Sequence, residues 1–358
     1  MSRTVRVLIV DDSAMVRRVL MMGLSSDPEI EVIGSASNAT QAWDMMQAQR
    51  PDVITLDVEM PATDGVTFLS RYMQVMPIPT VMISALTSES APVTLQAMEA
   101  GAVDVIEKPS LGVEGMSGMM RDICERVRAA ASARPVLRRA RVRQAPPVAP
   151  PPQYDERAAH GTLMAIGSST GGVQALSRIL PMFPAASPPI LIVQHMPEGF
   201  TGAFARRLDA VCNMSVCEAR DGEEVRFGTV YIAPGGQRHM TVRREGASSW
   251  SILLEPGDPV SYSRPSVDVL FASVAQQAGR KAIAALLTGM GRDGARGMLA
   301  IRQAGGTTFA QDEATSVVYG MPFAAVELGA AKETLPLDDI PDRMLRCITV
   351  SQARAARP

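Results

Sequence analysis

Short runs of β-branched and other apolar residues alternate with longer amphipathic segments along most of this 358-residue chain, and this alternation restricts its fold more than any other feature. Strands that are apolar on both faces must be covered on both sides, and strands joined by crossover helices pair in parallel. The pattern therefore predicts an α/β fold in which helices flank parallel sheets. It occurs in two blocks, separated by a segment that has no apolar period.

The first block covers residues 1–125. Its predicted helices have apolar residues three and four positions apart, as one face of a helix requires. Its predicted strands are Val5–Val10, Ile30–Ala36, Val53–Leu56, Thr80–Ser84 and Val103–Glu107. We expect a doubly wound domain with a five-stranded parallel sheet.

The segment between the blocks, residues 126–160, is rich in proline and arginine. Proline prevents helix propagation and favours extended, stiff conformations. The arginines could contact an acidic partner, but the arginine run at residues 134–143 contains no aromatic residue for base stacking. We therefore expect an interdomain linker with no site of its own.

The second block covers residues 161–350. Each of its predicted parallel strands is followed by a helical segment, and these strands are Thr162–Ile166, Ile190–Val193, Ala282–Leu287 and Thr307–Ala310. Two stretches in the middle, EEVRFGTVYIAPGG and HMTVRREGASSWSILLEPGD, show the period-two alternation typical of hairpins. We expect a second α/β domain with a parallel sheet and an antiparallel insertion.

Charge and composition exclude several classes of function. A formal net charge of -2 and a pI near 6.0 do not provide the positive field that draws a protein to nucleic acid or anionic membranes. No stretch approaches the roughly 20 apolar residues of a membrane span. The cysteines are scattered and form no CxxC pair, which is typical of a reducing compartment. We expect a cytoplasmic protein with no nucleic-acid partner and no membrane insertion.

Polar residues stand at the ends of successive strands in the first block. Asp11 and Asp12 follow the first strand, Asp57 the third, Ser84 ends the fourth, and Lys108 follows the fifth. The carboxyl ends of parallel strands share one edge of a sheet, so three carboxylates would meet there and repel one another. A hard cation such as Mg²⁺ resolves this repulsion and assists phosphoryl transfer to a carboxylate.

In this interpretation Asp57 is the nucleophile, and Lys108 and Ser84 contact the phosphate. The alternative is that the acidic residues only cap the next helix, as Asp12 could. We favour the functional interpretation because suitable residues follow several strands rather than one.

The second block contains a serine in the setting of a nucleophile. TLMAIGSSTGGVQAL predicts a strand, a tight glycine turn and a helix, and Gly167–Gly171 fits the pattern G-x-S-x-G. Such a turn exposes Ser169 and directs the N-terminus of the helix at a developing oxyanion. The neighbouring Ser168 is out of this register. A phosphate-binding turn is the alternative, but the segment lacks both the G-x-G-x-x-G spacing and the G-K-[ST] of a P-loop.

Candidates for the base and the acid follow other strands of this block. His195 stands just past the end of the next parallel strand, and the alternative base, His239, lies in a predicted strand. Asp293 follows a third strand, where it could orient His195 or only cap a helix. The order Ser, His, Asp differs from that of α/β-hydrolases, but geometry rather than order defines a triad.

The motifs VLIVDDS, LDVEMPATDG, ISALTSE and EKP are similar to those of the response-regulator receiver family, over residues 4 to about 125. The resemblance implies phosphorylation of Asp57 by a sensor histidine kinase, with Mg²⁺ held by Asp11, Asp12 and Asp57. It makes Ser84 the switch hydroxyl and Lys108 the phosphate contact.

The motifs IGSSTGG, IVQHMPEGF, SRPSVD and LLTGMGRDGA resemble the chemotaxis protein-glutamate methylesterase (CheB) family, over residues 162 to about 345. The resemblance implies Ser169 as nucleophile, His195 as base, Asp293 as orienting acid, and an oxyanion site at the backbone of Met290 and Thr170. Many members have alanine where this chain has Ser168.

The implied activity is phosphorylation-activated demethylation of glutamate methyl esters, and deamidation of glutamines, in methyl-accepting chemotaxis receptors. No cofactor is expected in the esterase site. Two other functions remain open from the residues: a receiver that controls a DNA-binding output domain, and a receiver-controlled general carboxylesterase. A DNA-binding output would require a compact helical module with a basic recognition helix, whereas the second block is rich in strands.

Overall fold

The computed structural model describes residues 4–85, 91–109, 116–133, 159–246 and 249–355. The chain divides into two compact units, Met1–Arg141 and Val142–Pro358. Most of the predicted linker, residues 134–158, lies outside the described residues. Within the described ranges, no helix is both long and apolar enough to cross a bilayer.

The N-terminal unit contains a five-stranded parallel sheet, as the sequence predicts, and its strand order is β2-β1-β3-β4-β5. Its strands are β1 (Val5–Val10), β2 (Ile30–Ala36), β3 (Val53–Asp57), β4 (Thr80–Ser84) and β5 (Asp104–Glu107). Its helices are α1 (Ala14–Ser25), α2 (Ala39–Ala48), α3 (Gly65–Val75), α4 (Ala91–Ala100) and α5 (Met116–Ala131).

Side chains at the helix starts explain where the first helices begin. Ser13, Asn38 and Asp64 are the N-caps of α1, α2 and α3, and each accepts a hydrogen bond from the backbone N–H three residues further on. The last helix, α5, runs to Ala131 because its buried face continues through Val127 and Ala130. It therefore passes residue 125, where the predicted receiver domain ends.

The C-terminal unit contains a seven-stranded sheet in the order β14-β13-β12-β6-β7-β9-β8, and all of its neighbouring strands are parallel. Its strands are β6 (Leu163–Ser168), β7 (Ile190–Gln194), β8 (Ser215–Glu218), β9 (Thr229–Ile232), β12 (Ala282–Leu286), β13 (Thr307–Gln311) and β14 (Glu333–Leu335). A separate antiparallel hairpin consists of β10 (Arg238–Arg244) and β11 (Trp250–Pro256). The predicted α/β fold with an antiparallel insertion is confirmed.

One detail of that prediction is wrong. The stretch EEVRFGTVYIAPGG contains β9, which pairs in parallel with β7 and β8 instead of forming a hairpin. Period-two alternation shows which face of a strand is buried but not the direction of its partner. The partner of β9 is decided by packing, since Val230, Tyr231 and Ile232 are buried in the sheet.

The helices of this unit are α6 (Gly172–Ile179), α7 (Phe200–Asp209), α8 (Val267–Ala278), α9 (Ala295–Gln303), α10 (Met321–Glu327) and α11 (Ile340–Ala355). Helix α8 occupies the centre of the core, where Leu270, Phe271 and Val274 are fully buried. Each such side chain contributes roughly 1.5–3 kcal/mol of transfer free energy. The buried helix holds its first turn, at Ser266 and Val267, beside the end of β12.

Candidate active site and acidic pocket

The acidic pocket lies at the carboxyl ends of β1 and β3. Asp11 and Asp57 are 1% and 0% exposed, and one oxygen each of Asp11, Asp12 and Asp57 lie within 4.8 Å of one another. Asp11 Oδ2 is buried and has no hydrogen-bond partner among the described residues. Buried oxygen ligands with an unsatisfied acceptor fit a hard divalent cation.

Lys108 is the counter-ion of this pocket. Its Nζ lies 2.7 Å from Asp57 Oδ2 and 3.7 Å from Asp11 Oδ2. Burial raises the pKa of Asp57 to about 6, an effect that Asp11 strengthens and the hydrogen bond from Lys108 opposes. Burial also raises the pKa of Asp11. Although burial opposes it, the hydrogen bond to Asp57 raises the pKa of Lys108, so the lysine stays charged.

The structure brings Ser84 to the same edge. The side chain is buried, and its Oγ lies 3.2 Å from Thr94 Oγ1. The backbone N–H of Lys108 donates to the carbonyl of Ser84 at 2.9 Å, which ties the ends of β4 and β5 together. Gly65 is a residue that the sequence reasoning did not single out: a Cβ there would lie 1.9 Å from the carbonyl oxygen of Asp57.

The two adjacent serines of the C-terminal unit have different environments. Ser168 is fully buried at the end of β6, and its Oγ donates to Gln194 Oε1 at 2.6 Å. Ser169 follows it in the turn before α6 and is partly exposed. Its Oγ makes no hydrogen bond within the described ranges, so the hydroxyl of Ser169 is available to a substrate and that of Ser168 is not.

Gln194, the last residue of β7, links the serine turn to the histidine. Its Nε2 donates to the carbonyl oxygens of Ser169 and His195, at 2.9 and 3.0 Å. The backbone N–H of His195 also donates to the carbonyl of Ser168, at 3.0 Å. Neighbouring ends of parallel strands therefore hold Ser169 and His195 on one edge of the sheet.

His195 contacts Asp293 with one ring nitrogen and Ser263 with the other. Nε2 lies 2.8 Å from Asp293 Oδ2, and Nδ1 lies 3.3 Å from the Oγ of Ser263. The histidine side chain is 11% exposed, against 2% for the aspartate. No hydrogen bond joins His195 to Ser169 Oγ in the part of the chain that the structure describes. Nδ1 is the ring nitrogen that Asp293 does not contact.

Asp293 is surrounded by donors, most of them on the first turn of α8. Burial alone would raise its pKa, but the hydrogen bonds from His195, Ser266 and the backbone outweigh burial and lower the pKa below its usual value. The carboxylate therefore stays ionised beside His195. The donors are His195 Nε2, Ser266 Oγ and the backbone N–H groups of Val267, Asp268 and Gly294.

The segment predicted to line an oxyanion site lies directly against Ser169. The backbone N–H of Ser169 donates to the carbonyl of Thr288 at 3.0 Å, and a Cβ on Gly289 would lie 2.8 Å from the Cβ of Ser169. The N–H of Met290 has no hydrogen-bond partner among the residues described. Thr170 is buried, and its carbonyl accepts from Thr288 Oγ1 at 2.9 Å.

The alternative base, His239, is saturated by backbone groups. Its Nε2 lies 2.9 Å from the carbonyl of Asp258, and its Nδ1 accepts from the N–H of Ser266 at 3.1 Å. The imidazole is 5% exposed. The geometry therefore gives this histidine a structural position in β10, away from bulk solvent.

Sequence reasoning missed Gln194, Ser263 and Ser266. Gln194 directly precedes His195 at a strand end, a position where a polar residue can signal a contact at the sheet edge. Ser266 stands before the apolar start of α8, which is an N-cap signal. Nothing local to Ser263 predicts its contact with His195, because that contact joins residues 68 positions apart.

Comparisons with known proteins identify relatives of both units. A family model described as CheB methylesterase matches residues 164–344, and one described as response regulator receiver domain matches residues 7–117. The catalytic domain of a CheB methylesterase from Thermotoga maritima has a solved structure that is 42% identical, with a TM-score of 0.50, and covers 52% of this chain and 98% of that domain.

Curated relatives match over nearly the whole length. One from Cereibacter sphaeroides, named protein-glutamate methylesterase/protein-glutamine glutaminase of group 2 operon, is 60% identical over 95% of this chain and 91% of the relative. One from Bordetella parapertussis, named protein-glutamate methylesterase/protein-glutamine glutaminase, is 47% identical over 96% of this chain and 97% of the relative.

Proposed function

Because the chain belongs to the CheB methylesterase family, we propose that it is a phosphorylation-activated hydrolase that demethylates glutamate methyl esters, and deamidates glutamines, of methyl-accepting chemotaxis receptors. The observation that carries the proposal is the pair of His195 and the buried, ionised Asp293, 2.8 Å apart, beside a partly exposed Ser169.

In the proposed reaction Ser169 Oγ attacks the ester carbonyl while His195 takes the hydroxyl proton. The tetrahedral oxyanion is stabilised by backbone N–H groups, for which Met290 and Thr170 are our candidates. His195 then gives the proton to the departing methanol, which leaves an acyl ester on Ser169. Water attacks this ester with His195 again as base, and the free glutamate and Ser169 are released.

Asp293 keeps His195 oriented and stabilises the positive charge that the imidazole gains when it takes the proton. With a glutamine substrate the same steps release ammonia in place of methanol. The site requires no metal or cofactor in this proposal, because the nucleophile, the base and the oxyanion donors all come from the chain.

In this proposal, phosphorylation in the acidic pocket of the receiver controls the esterase activity. We propose that Asp57 accepts a phosphoryl group from a sensor histidine kinase, with Lys108 and Ser84 contacting the phosphate oxygens. Asp11, Asp12 and Asp57 would hold Mg²⁺, which supplies neutralisation of the phosphoryl charge. We also propose that the protein works in the cytoplasm, where an ATP-dependent kinase can supply the phosphoryl group.

The test is methanol release from methylated receptor membranes, with and without acetyl phosphate and Mg²⁺. Wild type should release methanol faster with the phosphodonor, and Ser169→Ala should release none. Ser168→Ala is the matched control and should keep most of the activity, since Ser168 is buried against Gln194. Activity that survives in Ser169→Ala but not in Ser168→Ala would refute the assignment of the nucleophile.

A further inference from the structure

A tight two-residue turn stands beside the candidate active site. Val260 and Ser263 are joined by two backbone hydrogen bonds, Val260 N–H to Ser263 O at 3.1 Å and Ser263 N–H to Val260 O at 2.9 Å. Between them, Ser261 and Tyr262 have φ values of 51° and 62°. Two consecutive positive φ values are typical of the turn that asparagine and glycine usually form.

Neither residue suits this backbone. A bulky side chain at positive φ is strained, and it persists only where its surroundings or a function require it. Burial of the ring does not offset this strain, because Tyr262 is 98% exposed. A strained turn that holds an aromatic ring in solvent therefore points to a contact with another molecule.

The turn is anchored directly to the catalytic histidine. Ser263 Oγ lies 3.3 Å from His195 Nδ1. The next residue, Arg264, fixes the chain by donating from Nε to the carbonyl of Gly236 at 3.0 Å and from Nη1 to the carbonyl of Gly257 at 2.7 Å. Tyr262 is therefore held at the rim of the site, on the side of His195.

A second exposed aromatic residue lies on the side of Ser169. Phe323, in the first turn of α10, is 51% exposed, and its ring centroid lies 6.0 Å from that of Tyr319. The start of α10 is bound to the segment that abuts Ser169, since the N–H of Met321 donates to the carbonyl of Gly289 at 2.8 Å. Tyr262 thus directly precedes a residue that contacts His195, and Phe323 lies two residues after Met321, which is bound to the segment against Ser169.

We propose that Tyr262 and Phe323 are substrate-contacting residues that bind apolar side chains of the receptor helix on either side of the reacting glutamate. The inference rests on the proposed function. On a helix, the neighbours of a glutamate on its own face are three and four residues away in both directions. Apolar residues at those positions would cover the two rings while the ester reaches Ser169, whereas a small ester would touch neither ring.

The variants Tyr262→Asn and Phe323→Ala test this in the full chain, with acetyl phosphate and Mg²⁺ present. Asparagine tolerates positive φ, so Tyr262→Asn removes the ring and keeps the turn. Phe227→Ala is the matched control. Phe227 is an aromatic residue of the same unit, 39% exposed, that precedes β9 and so lies at the opposite edge of the sheet.

Each test variant should lower kcat/KM for methylated receptor membranes by about tenfold, mainly through a higher KM. The control should match wild type. The rate at which a small fluorophosphonate labels Ser169 should be the same in all four proteins, because this probe needs the triad but not the rings. The thermal midpoint of Tyr262→Asn should equal or exceed that of wild type, because strain has been removed.

The outcomes separate this inference from the proposed function. Methanol release by wild type that Tyr262→Asn and Phe323→Ala leave unchanged would overturn the inference alone. A slower reaction of both variants with fluorophosphonate would also overturn it, because the rings would then act on the triad. A rise in activity of Tyr262→Asn without phosphodonor would assign the ring to control by the receiver instead. Wild type that releases no methanol would overturn the proposed function and the inference with it.

Discussion

Asp293 is charged although it is almost completely buried, with 2% of its surface exposed. Hydrogen bonds to the ionised form lower its pKa in the folded state, although burial opposes them. A carboxyl group with a depressed folded pKa adds stability above its unfolded pKa, and that stability is lost as the pH falls through the folded value. The carboxylate of Asp293 is therefore ionised throughout the neutral range, and only acidic solution would neutralise it.

Asp293→Asn should lower kcat for methanol release by roughly a thousandfold to ten-thousandfold, as in other triads where the amide fixes the wrong histidine tautomer. The matched control is Asp268→Asn. Asp268 is also buried, and its Oδ1 accepts from the N–H of Gly297 at 2.7 Å, a bond that an amide oxygen can keep. The control should stay close to wild type; equal losses in the two variants would mean that the aspartate acts only through folding.

The raised pKa of Asp57, about 6, predicts how Mg²⁺ binding depends on pH. Below that value the cation must displace a proton, so the affinity should fall by about fivefold as the pH drops from 6 to 5 and should approach a loss of about tenfold per pH unit at lower pH. Calorimetric titration of the full chain with Mg²⁺ measures this. Asp57→Asn should bind Mg²⁺ weakly and lose most of the pH dependence, whereas an affinity for wild type that is constant between pH 5 and pH 7 would contradict the prediction.

At the scale of elements, the junction of β6 and β7 depends on one amide. Gln194 accepts from Ser168 Oγ and donates to the carbonyl oxygens of Ser169 and His195. The residue is 2% exposed, and all of its side-chain hydrogen-bonding groups have partners. Because an unpaired buried polar group is costly, the junction is sensitive to any change of this side chain.

Gln194→Met should lower the free energy of unfolding of the C-terminal unit by about 2–3 kcal/mol, since it leaves several buried groups without partners. Ser168→Ala should cost about 1 kcal/mol, because only the amide oxygen of Gln194 is left unpaired. Urea unfolding followed by circular dichroism measures both variants.

The double variant Ser168→Ala/Gln194→Met completes the cycle. It should lose about 1 kcal/mol less than the sum of the single variants, because the bond between the two side chains is then counted once. Losses that simply add would show that the two side chains are not coupled.

At the scale of the molecule, control of the second unit by the first predicts the behaviour of a shortened chain. Residues 141–358 contain all the proposed esterase residues and lack Asp57. We expect this chain to release methanol faster than unphosphorylated full-length protein and not to respond to acetyl phosphate. Full-length Asp57→Asn is the control and should stay at the low basal rate. A shortened chain no faster than this variant would mean that the unphosphorylated receiver does not restrain the esterase.

Local sequence patterns were sufficient to predict much of the fold. Strands β1, β2 and β4 have the predicted bounds, because each is a short β-branched segment that a polar or turn residue ends or follows. The convergence of Asp11, Asp57 and Lys108 also followed from the sequence, since the strand ends of a parallel sheet share an edge. The direction of β9 could not be predicted, because alternation is the same in parallel and antiparallel strands.

The sequence by itself determined two parallel α/β blocks, the acidic strand ends and the G-x-S-x-G turn, because periods and motifs are properties of neighbouring residues. Only the tertiary structure decided that Ser168 is buried while Ser169 is partly exposed, and that Gln194 joins their turn to His195. It also decided that Tyr262, with its positive φ, directly precedes the residue that contacts His195. These features depend on contacts between segments 26 to 98 residues apart, such as Ser168 with Gln194 and His195 with Asp293. The packing of buried strands and of α8 creates those contacts, and no local pattern encodes them.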